Sequence, residues 1–378
     1  MHSITFLHTS DLQLGMTRWF LGDDGQALFD DSRLRAIRRI GQLATETDAQ
    51  FVVIAGDVFD ANALSPRVIK RVIDELKRLP VPVYLLPGNH DPLVADSVFR
   101  HTGDLDGVIV VDDSEVREVA PGVELVGAPW FSKHPTGDLV RRALEPLGAS
   151  EKIRIGLAHG QAESRSGEII AGWFDLAYVE EAMAQRRLDY LALGDTHSAQ
   201  PVGDSGRVWF SGSPEVTDFA EDSGGGEHNS GQVLQVDITK EPGSDSQVSV
   251  TEHRVGEWTF AAPTETIYSD EDIDAFLARL DSYPEKSRTV IKYTLEGTLS
   301  LEQTRRLEMG IDARKDVFAN LYERESRMDL HVEPTDEEIA DLALGGVAAS
   351  ALAELLEDPD DNVATDAAHL LFRLSQEA

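Results

Sequence analysis

The chain has 378 residues, 41% of them hydrophobic, and it contains no cysteine, which excludes disulfides, thiolate metal sites and cysteine nucleophiles. Its net charge of −34, from 34 Lys+Arg against 68 Asp+Glu, argues against nonspecific affinity for nucleic acid, because that affinity rests on Lys and Arg neutralising phosphates. Much of any grip on DNA is therefore expected to come from a binding partner.

A single compact core stops growing at about 250–300 residues, so a large domain with smaller additions is expected. No apolar run approaches the roughly 18 residues of a membrane span. The opening MHSITFLHTSDLQ lacks the basic start, apolar stretch and small-residue cleavage site of a signal peptide, so cytoplasmic residence is expected, away from any membrane.

Taken in order, Ile4–Leu7 reads as a short apolar strand running into the polar His8-Thr9-Ser10-Asp11. Apolar Leu34, Ile37, Ile40, Leu43 and Ala44 share one face at helical spacing, which predicts a helix over about 32–46. Phe51-Val52-Val53-Ile54-Ala55 is a continuous apolar run, as in a strand buried on both faces, and it ends in Gly56-Asp57. Pro66 opens a predicted helix to Leu79, proline being suited to a first turn. The strand predicted over 81–86 ends in Pro87-Gly88-Asn89-His90-Asp91. Strands over 153–158 and 188–193 end in His159-Gly160 and Gly194-Asp195-Thr196-His197. Two closing strands are predicted at 208–211 and 231–238, separated by a Gly/Ser/Asp-rich loop at 222–230.

The texture changes after about 255. Strands over 257–262, 288–298 and 317–323 alternate with helices over 270–280 and 300–310, a βαβαβ pattern. From Glu333 onward the chain carries 12 Asp+Glu and one Arg, and reads as acidic helix with leucine-rich faces. The expected domains are thus 1–254, 255–332 and 333–378.

Five apolar strands each deliver Asp, Asn or His in the loop that follows. In open α/β sheets the ligand site lies at the carboxyl ends of the strands, and burying such groups unpaired is costly. Read as ligands, the loops offer Asp11, Gln13, Asp57, Asn89, His159, Asp195 and His197. Oxygen and imidazole donors suit Mn²⁺ best, with Mg²⁺, Fe or Zn²⁺ compatible. Seven donors are too many for one ion and about right for two that share a carboxylate, which is assigned to Asp57. His90 is the candidate proton donor to a leaving oxygen, and Asp60 the candidate carboxylate to orient its ring. His8 reads as a hydrogen-bonded loop residue, the Arg35–Arg38–Arg39 face as solvated, and Trp130 as buried.

The five clusters resemble the motifs of calcineurin-like metallophosphoesterases: Asp11-Leu12-Gln13, Gly56-Asp57-Val58-Phe59-Asp60, Gly88-Asn89-His90-Asp91, His159-Gly160 and Gly194-Asp195-Thr196-His197. His8-Thr9-Ser10-Asp11 with Leu14-Gly15, and Ser211-Gly212-Ser213-Pro214-Glu215 with Phe219, look like SbcD/Mre-type DNA repair nucleases. The resemblance covers residues 1 to about 240 strongly, and the rest by position only. It implies a four-layer α/β/β/α sandwich with a small α+β cap and a C-terminal helical segment. It implies one metal site of Asp11, position 13, Asp57 and His197, and a second of Asp57, Asn89, His159 and position 195. It further implies hydroxide attack at a two-metal centre with His90 assisting the leaving group, DNA as substrate, a homodimer, and a coiled-coil ATPase partner of SbcC type. Gln13 and Asp195 depart from the pattern, which has His at both positions. The added carboxylate predicts a preference for harder cations. Two other readings stay open: a small phosphoester or nucleotide as substrate, and a degenerate member that binds DNA or a partner without turnover.

Overall fold

A computed structural model describes residues 1–100, 105–162 and 171–333, with a few isolated positions beyond. The acidic segment expected to be helical from 333 therefore lies outside the described residues apart from those positions. The chain forms two units: Met1–Asp218 with Glu227–Trp258, and Phe219–Gly226 with Thr259–Ala378.

The first unit contains two six-stranded sheets. One runs in the order Gln247–Arg254, Gln232–Lys240, His2–Thr9, Val52–Ala55, Val83–Leu86, Val108–Val110. The other runs Arg117–Ala120, Val123–Gly127, Ile153–His159, Tyr190–Gly194, Val208–Phe210, Gln200–Pro201. Alternation along the strands sorts the core into layers. Ile4, Phe6, Val53 and Ala55 face Leu125, Ile155, Leu157 and Ala192 between the sheets. Leu7, Val52 and Ile54 point the other way, against Ile37, Ile40 and Val72 of the helices Gly22–Glu46 and Pro66–Leu76. Ala158, Leu191 and Leu193 meet Ala143, Val179 and Met183 of the helices Leu139–Leu144 and Leu176–Ala184. Helix, sheet, sheet, helix is the expected sandwich.

The central strands of both sheets are parallel and in step. Thr9 pairs with Ile54, Ala55 with Leu86, and His159 with Gly194, so their carboxyl ends open on common edges. The first helix begins at Gly22, about ten residues before the start that its apolar stripe predicts. Asp23 and Asp24 complement its N-terminal dipole, and Phe29 is fully buried edge-on to Trp258 at 5.2 Å. The short helices 139–144 and 176–184, capped by Asp138 and Asp175, have too few turns to announce themselves by periodicity.

In the second unit the eleven-residue strand Thr289–Leu299 is central. Its first half pairs with Thr259–Ala262 and Asn320–Glu323, its second with Thr264–Ile267 and Asp329–Val332, all in parallel. The βαβαβ reading thus lacks two strands. Pro263, which has no N–H to give a ladder, divides what is otherwise one continuous pairing. Ala220–Glu221 adds to the edge at Thr259–Ala262, a pairing that no local pattern could reveal.

Candidate metal centre

Four of the seven candidate ligands sit on sharp turns just beyond strands, while His159 ends its own strand. Asp11, Gln13, Asp57 and Asp195 all have positive φ (51°, 48°, 53° and 96°), and only two other described non-glycine residues do, Asp48 and Arg186. Strained backbone of this kind persists where surrounding structure over-determines it, commonly at functional sites. The loops brace one another through main-chain bonds: Asp11 N–H to Gly56 O at 3.0 Å and Gln13 N–H to Asp57 O at 3.0 Å. Gly56, at φ +94°, lies so close to the His159 ring that a Cβ there would overlap it, and a Cβ on Gly88 would overlap Asp57.

Asp11, Asp57 and His159, all buried, bring one ligand atom each within 4.8 Å of one another. His159 Nε2 lies 2.7 Å from Asn89 Oδ1, 3.5 Å from Asp57 Oδ2 and 3.7 Å from Asp195 Oδ1. His159 Nδ1–H donates to Ala55 O at 2.8 Å, which leaves the Nε2 lone pair for the centre. Across Asp57, His197 Nε2 lies 3.7 Å from Asp11 Oδ1, and Gln13 Nε2 donates to Asp57 Oδ2 at 3.1 Å. Asp57 thus has Gln13 on one side and His159 on the other, with His197 against Asp11 and with Asn89 and Asp195 against His159. Gln13 Oε1 is buried with no hydrogen-bond partner among the described residues. That orphaned oxygen, the crowded carboxylates and the opposed Nε2 and Oδ1 atoms fit a divalent cation, which takes lone pairs that have no proton to share.

The electrostatics agree. Burial raises Asp11, against His197 and His159, which lower it. Burial also acts to raise Asp57, but His159 and His90 outweigh it and hold the carboxyl below its ordinary value. Burial acts to lower His159 and His197, yet the carboxylates around them prevail: His159 rises well above the usual imidazole range and His197 to about 9. A cation bound by these rings replaces the protons that the carboxylates otherwise attract, so its affinity should rise with pH.

His90 sits at the rim, its side chain 42% exposed, with Nε2 3.9 Å from Asp57 Oδ2. Its Nδ1 is held by the backbone carbonyl of Asp60 at 2.8 Å. The expected orienting carboxylate is thus replaced by main chain, since the turn after Asp57 presents Asp60 O to the ring. Asp60→Ala is accordingly expected to keep kcat/KM on a phosphodiester within about tenfold of wild type, whereas His90→Ala should cost about 10²–10⁴-fold, the usual loss for a positioned proton donor. Steady-state kinetics of the two variants decide this; an equal loss in both would restore the carboxylate to the role.

Around the ligands lies a shell of supporting residues, most of them inside the motifs, whose bracing roles the sequence does not state. Asp91 is fully buried and accepts from Gly88 N–H at 2.8 Å and Phe59 N–H at 3.0 Å, tying two motif loops together. Burial, aided by Asp57, pushes its carboxyl up to about 7. Ser10 donates to Asp11 Oδ2 at 2.5 Å and meets Ser211 Oγ at 2.8 Å, while Ser213 donates to Asp11 O at 2.6 Å. Buried Arg33 reaches Leu12 O at 2.6 Å and Val216 O at 3.3 Å. Glu215 accepts three backbone N–H groups, from Val216, Glu257 and Trp258. The Ser211–Glu215 motif is therefore scaffolding for the centre. His8 is buried in the first strand between Tyr190 Oη and Leu193 O, and burial lowers it to about 3. Trp130 is buried with Nε1–H on His159 O at 2.8 Å. Arg35, Arg38 and Arg39 pair with Glu257, Glu75 and Glu46. No described helix is long and apolar enough to cross a membrane.

Residues 4–226 match the family model described as calcineurin-like phosphoesterase. Among curated proteins, the chain is 33% identical over 99 residues to the DNA double-strand break repair protein Mre11 of Archaeoglobus fulgidus, covering 25% of this chain and 21% of that one. It is 27% identical over 208 residues to the uncharacterized metallophosphoesterase YhaO of Bacillus subtilis, covering 52% of this chain and 49% of that one. It thus spans half or less of the length of either relative. Similar solved structures include TT1561 of Thermus thermophilus (13% identity, TM-score 0.39, 56% of this chain and 90% of that one). A dimetal phosphatase from Danio rerio is another (11% identity, TM-score 0.40, 65% and 98%).

Proposed function

Because this chain belongs to the calcineurin-like phosphoesterase family, whose model spans more than half of it, we propose that it is a metal-dependent phosphodiesterase acting on DNA, as the nuclease subunit of a repair complex. The observation that carries the reading is the convergence of two donor groups on Asp57 with His90 beside them. Asp11, Gln13, Asp57 and His197 would hold one ion, and Asp57, Asn89, His159 and Asp195 a second. The all-oxygen-and-imidazole set favours Mn²⁺, and the third carboxylate, Asp195, turns the preference toward harder cations. Divalent ions there supply Lewis acidity and a nucleophile from water near neutral pH.

The chain's own residues do the rest. Asp57 Oδ1 accepts His90 N–H at 2.9 Å, so the carboxylate is tied to the loop that carries the imidazole. With Nδ1–H directed at Asp60 O, the exchangeable proton of His90 is carried at Nε2, the atom that faces the centre. That proton goes to the departing sugar oxygen as the P–O bond breaks. DNA as the substrate is supported by the name of the relative from Archaeoglobus and by the motifs shared with repair nucleases. The net charge of −34 supports a partner that supplies the cationic surface, for which a coiled-coil ATPase is the candidate, while a second copy of the chain, equally acidic, rests on the resemblance alone.

The test is hydrolysis of bis-p-nitrophenyl phosphate and of single- and double-stranded DNA with Mn²⁺, Mg²⁺ or Zn²⁺, with His90→Ala as control. Cleavage of both substrates, strongest with Mn²⁺ and lost in the variant, is the expected result. Cleavage of the small ester alone would move the substrate to small phosphoesters. Silence with every metal would leave binding without turnover.

A further inference from the structure

Beneath His197 lies a buried carboxylate that no motif includes. Glu227 is only 8% exposed and sits in the loop that precedes the strand Gln232–Lys240, thirty residues from the histidine. Its Oε1 accepts from His197 Nδ1–H at 2.8 Å. Its Oε2 accepts from Thr217 N–H at 2.9 Å, and the Thr217 hydroxyl donates to Oε1. Thr217 is held in turn by Arg18, whose Nε–H reaches its carbonyl at 3.0 Å.

We propose that Glu227, braced by Thr217, is the positioning residue for His197: it fixes the proton on Nδ1 and directs the Nε2 lone pair to the Asp11 side of the metal centre. The chemistry is that of a carboxylate–histidine pair behind a metal ligand, in which the outer carboxylate sets the tautomer, restrains the ring and raises its basicity. The alternative is a latch. Thr217 and Glu227 flank the segment Phe219–Gly226, where the chain leaves the first unit and returns to it, and a bond between them would close that excursion whatever His197 does. A latch does not need the third contact, to Nδ1. Nor does it need a charge: a buried carboxylate is costly unless its partners compensate it, and a neutral amide would close the loop as well.

The inference rests on His197 being a metal ligand, as in the function proposed above, and the test separates the two. Mn²⁺ affinity is measured by titration calorimetry on the full chain, wild type and Glu227→Gln. The His197 Nδ1–H resonance is followed by NMR in the Zn²⁺-loaded protein. Mn²⁺ affinity should fall about 10–100-fold in the variant, the usual loss when such an outer partner is removed. The Nδ1–H resonance should lose its strongly hydrogen-bonded position. Should Glu227→Gln not fold, Glu227→Asp keeps the charge, retracts it by one methylene, and should weaken Mn²⁺ binding in the same direction. Affinity within about twofold of wild type and an unmoved resonance, whatever the Tm, would reduce Glu227 to a latch and overturn the inference. Wild-type protein that binds no Mn²⁺ would instead overturn the metal reading of His197 itself, and the inference with it.

Discussion

Asp57→Asn is expected to lower kcat/KM for phosphodiester hydrolysis by about a thousandfold or more. A metal clamp contributes several kcal/mol of transition-state stabilisation, and each 1.36 kcal/mol is about tenfold in rate. Asp57 is the one side chain common to both donor groups, 3.5 Å from His159 Nε2 and hydrogen-bonded to Gln13. Asparagine is the informative replacement. It tolerates the positive φ of 53° at this position and keeps an oxygen for His90 N–H, so the turn survives while the charge goes. Mn²⁺ binding should weaken in parallel, and circular dichroism should be unchanged. A variant that retains more than about a tenth of the activity would remove Asp57 from the centre of the mechanism.

The second large effect is on stability. Lys240 and Asp189 form an ion pair with side chains 1% and 2% exposed, at 2.8 Å. The ammonium is fully satisfied, donating also to Ser150 O and Lys152 O at 2.9 Å each, while Asp189 Oδ2 accepts Arg154 N–H at 2.7 Å. Lys240 ends a strand of the first sheet, and its partners precede strands of the second. The pair therefore fastens the sheets together at the end remote from the metal centre. Lys240→Met leaves the carboxylate buried and unpaired, which should cost about 3–5 kcal/mol. For a unit of this size that is a fall of about 10 °C in Tm, measured by calorimetry or urea unfolding. Adding Asp189→Asn should recover part of the loss, since the uncompensated charge is then gone, and kcat of the surviving folded protein should not change. A loss below about 1 kcal/mol in Lys240→Met would show that water or another cation already screens Asp189.

The contrast between these two sites marks what is legible in a linear chain. Asp57, Asn89, His90, His159 and His197 stand out because each follows directly on an apolar run, and a buried strand with a polar loop at its end is a local pattern. The parallel sheets follow from the same runs, since strands buried on both faces read as continuous hydrophobic stretches. Lys240 and Asp189 are in no such pattern: a lysine closing a strand and an aspartate beginning one look like surface residues until two sheets stack and bury them. Glu227 looks like one more polar residue in a glycine-rich loop until Thr217 and His197 arrive against it from 10 and 30 residues away.

Asp60 shows the limit most sharply. Sequence spacing brings it to the correct turn, but whether its carboxylate or its carbonyl meets His90 depends on backbone torsion, which spacing does not encode. The addition of Ala220–Glu221 to the second unit's sheet is likewise a matter of pairing between distant segments. Chemistry carried by short runs of residues was thus set by local order along the chain. The contacts that orient, brace and neutralise it were settled only when packing brought remote segments together, because burial turns a solvated charge into one that must find a partner.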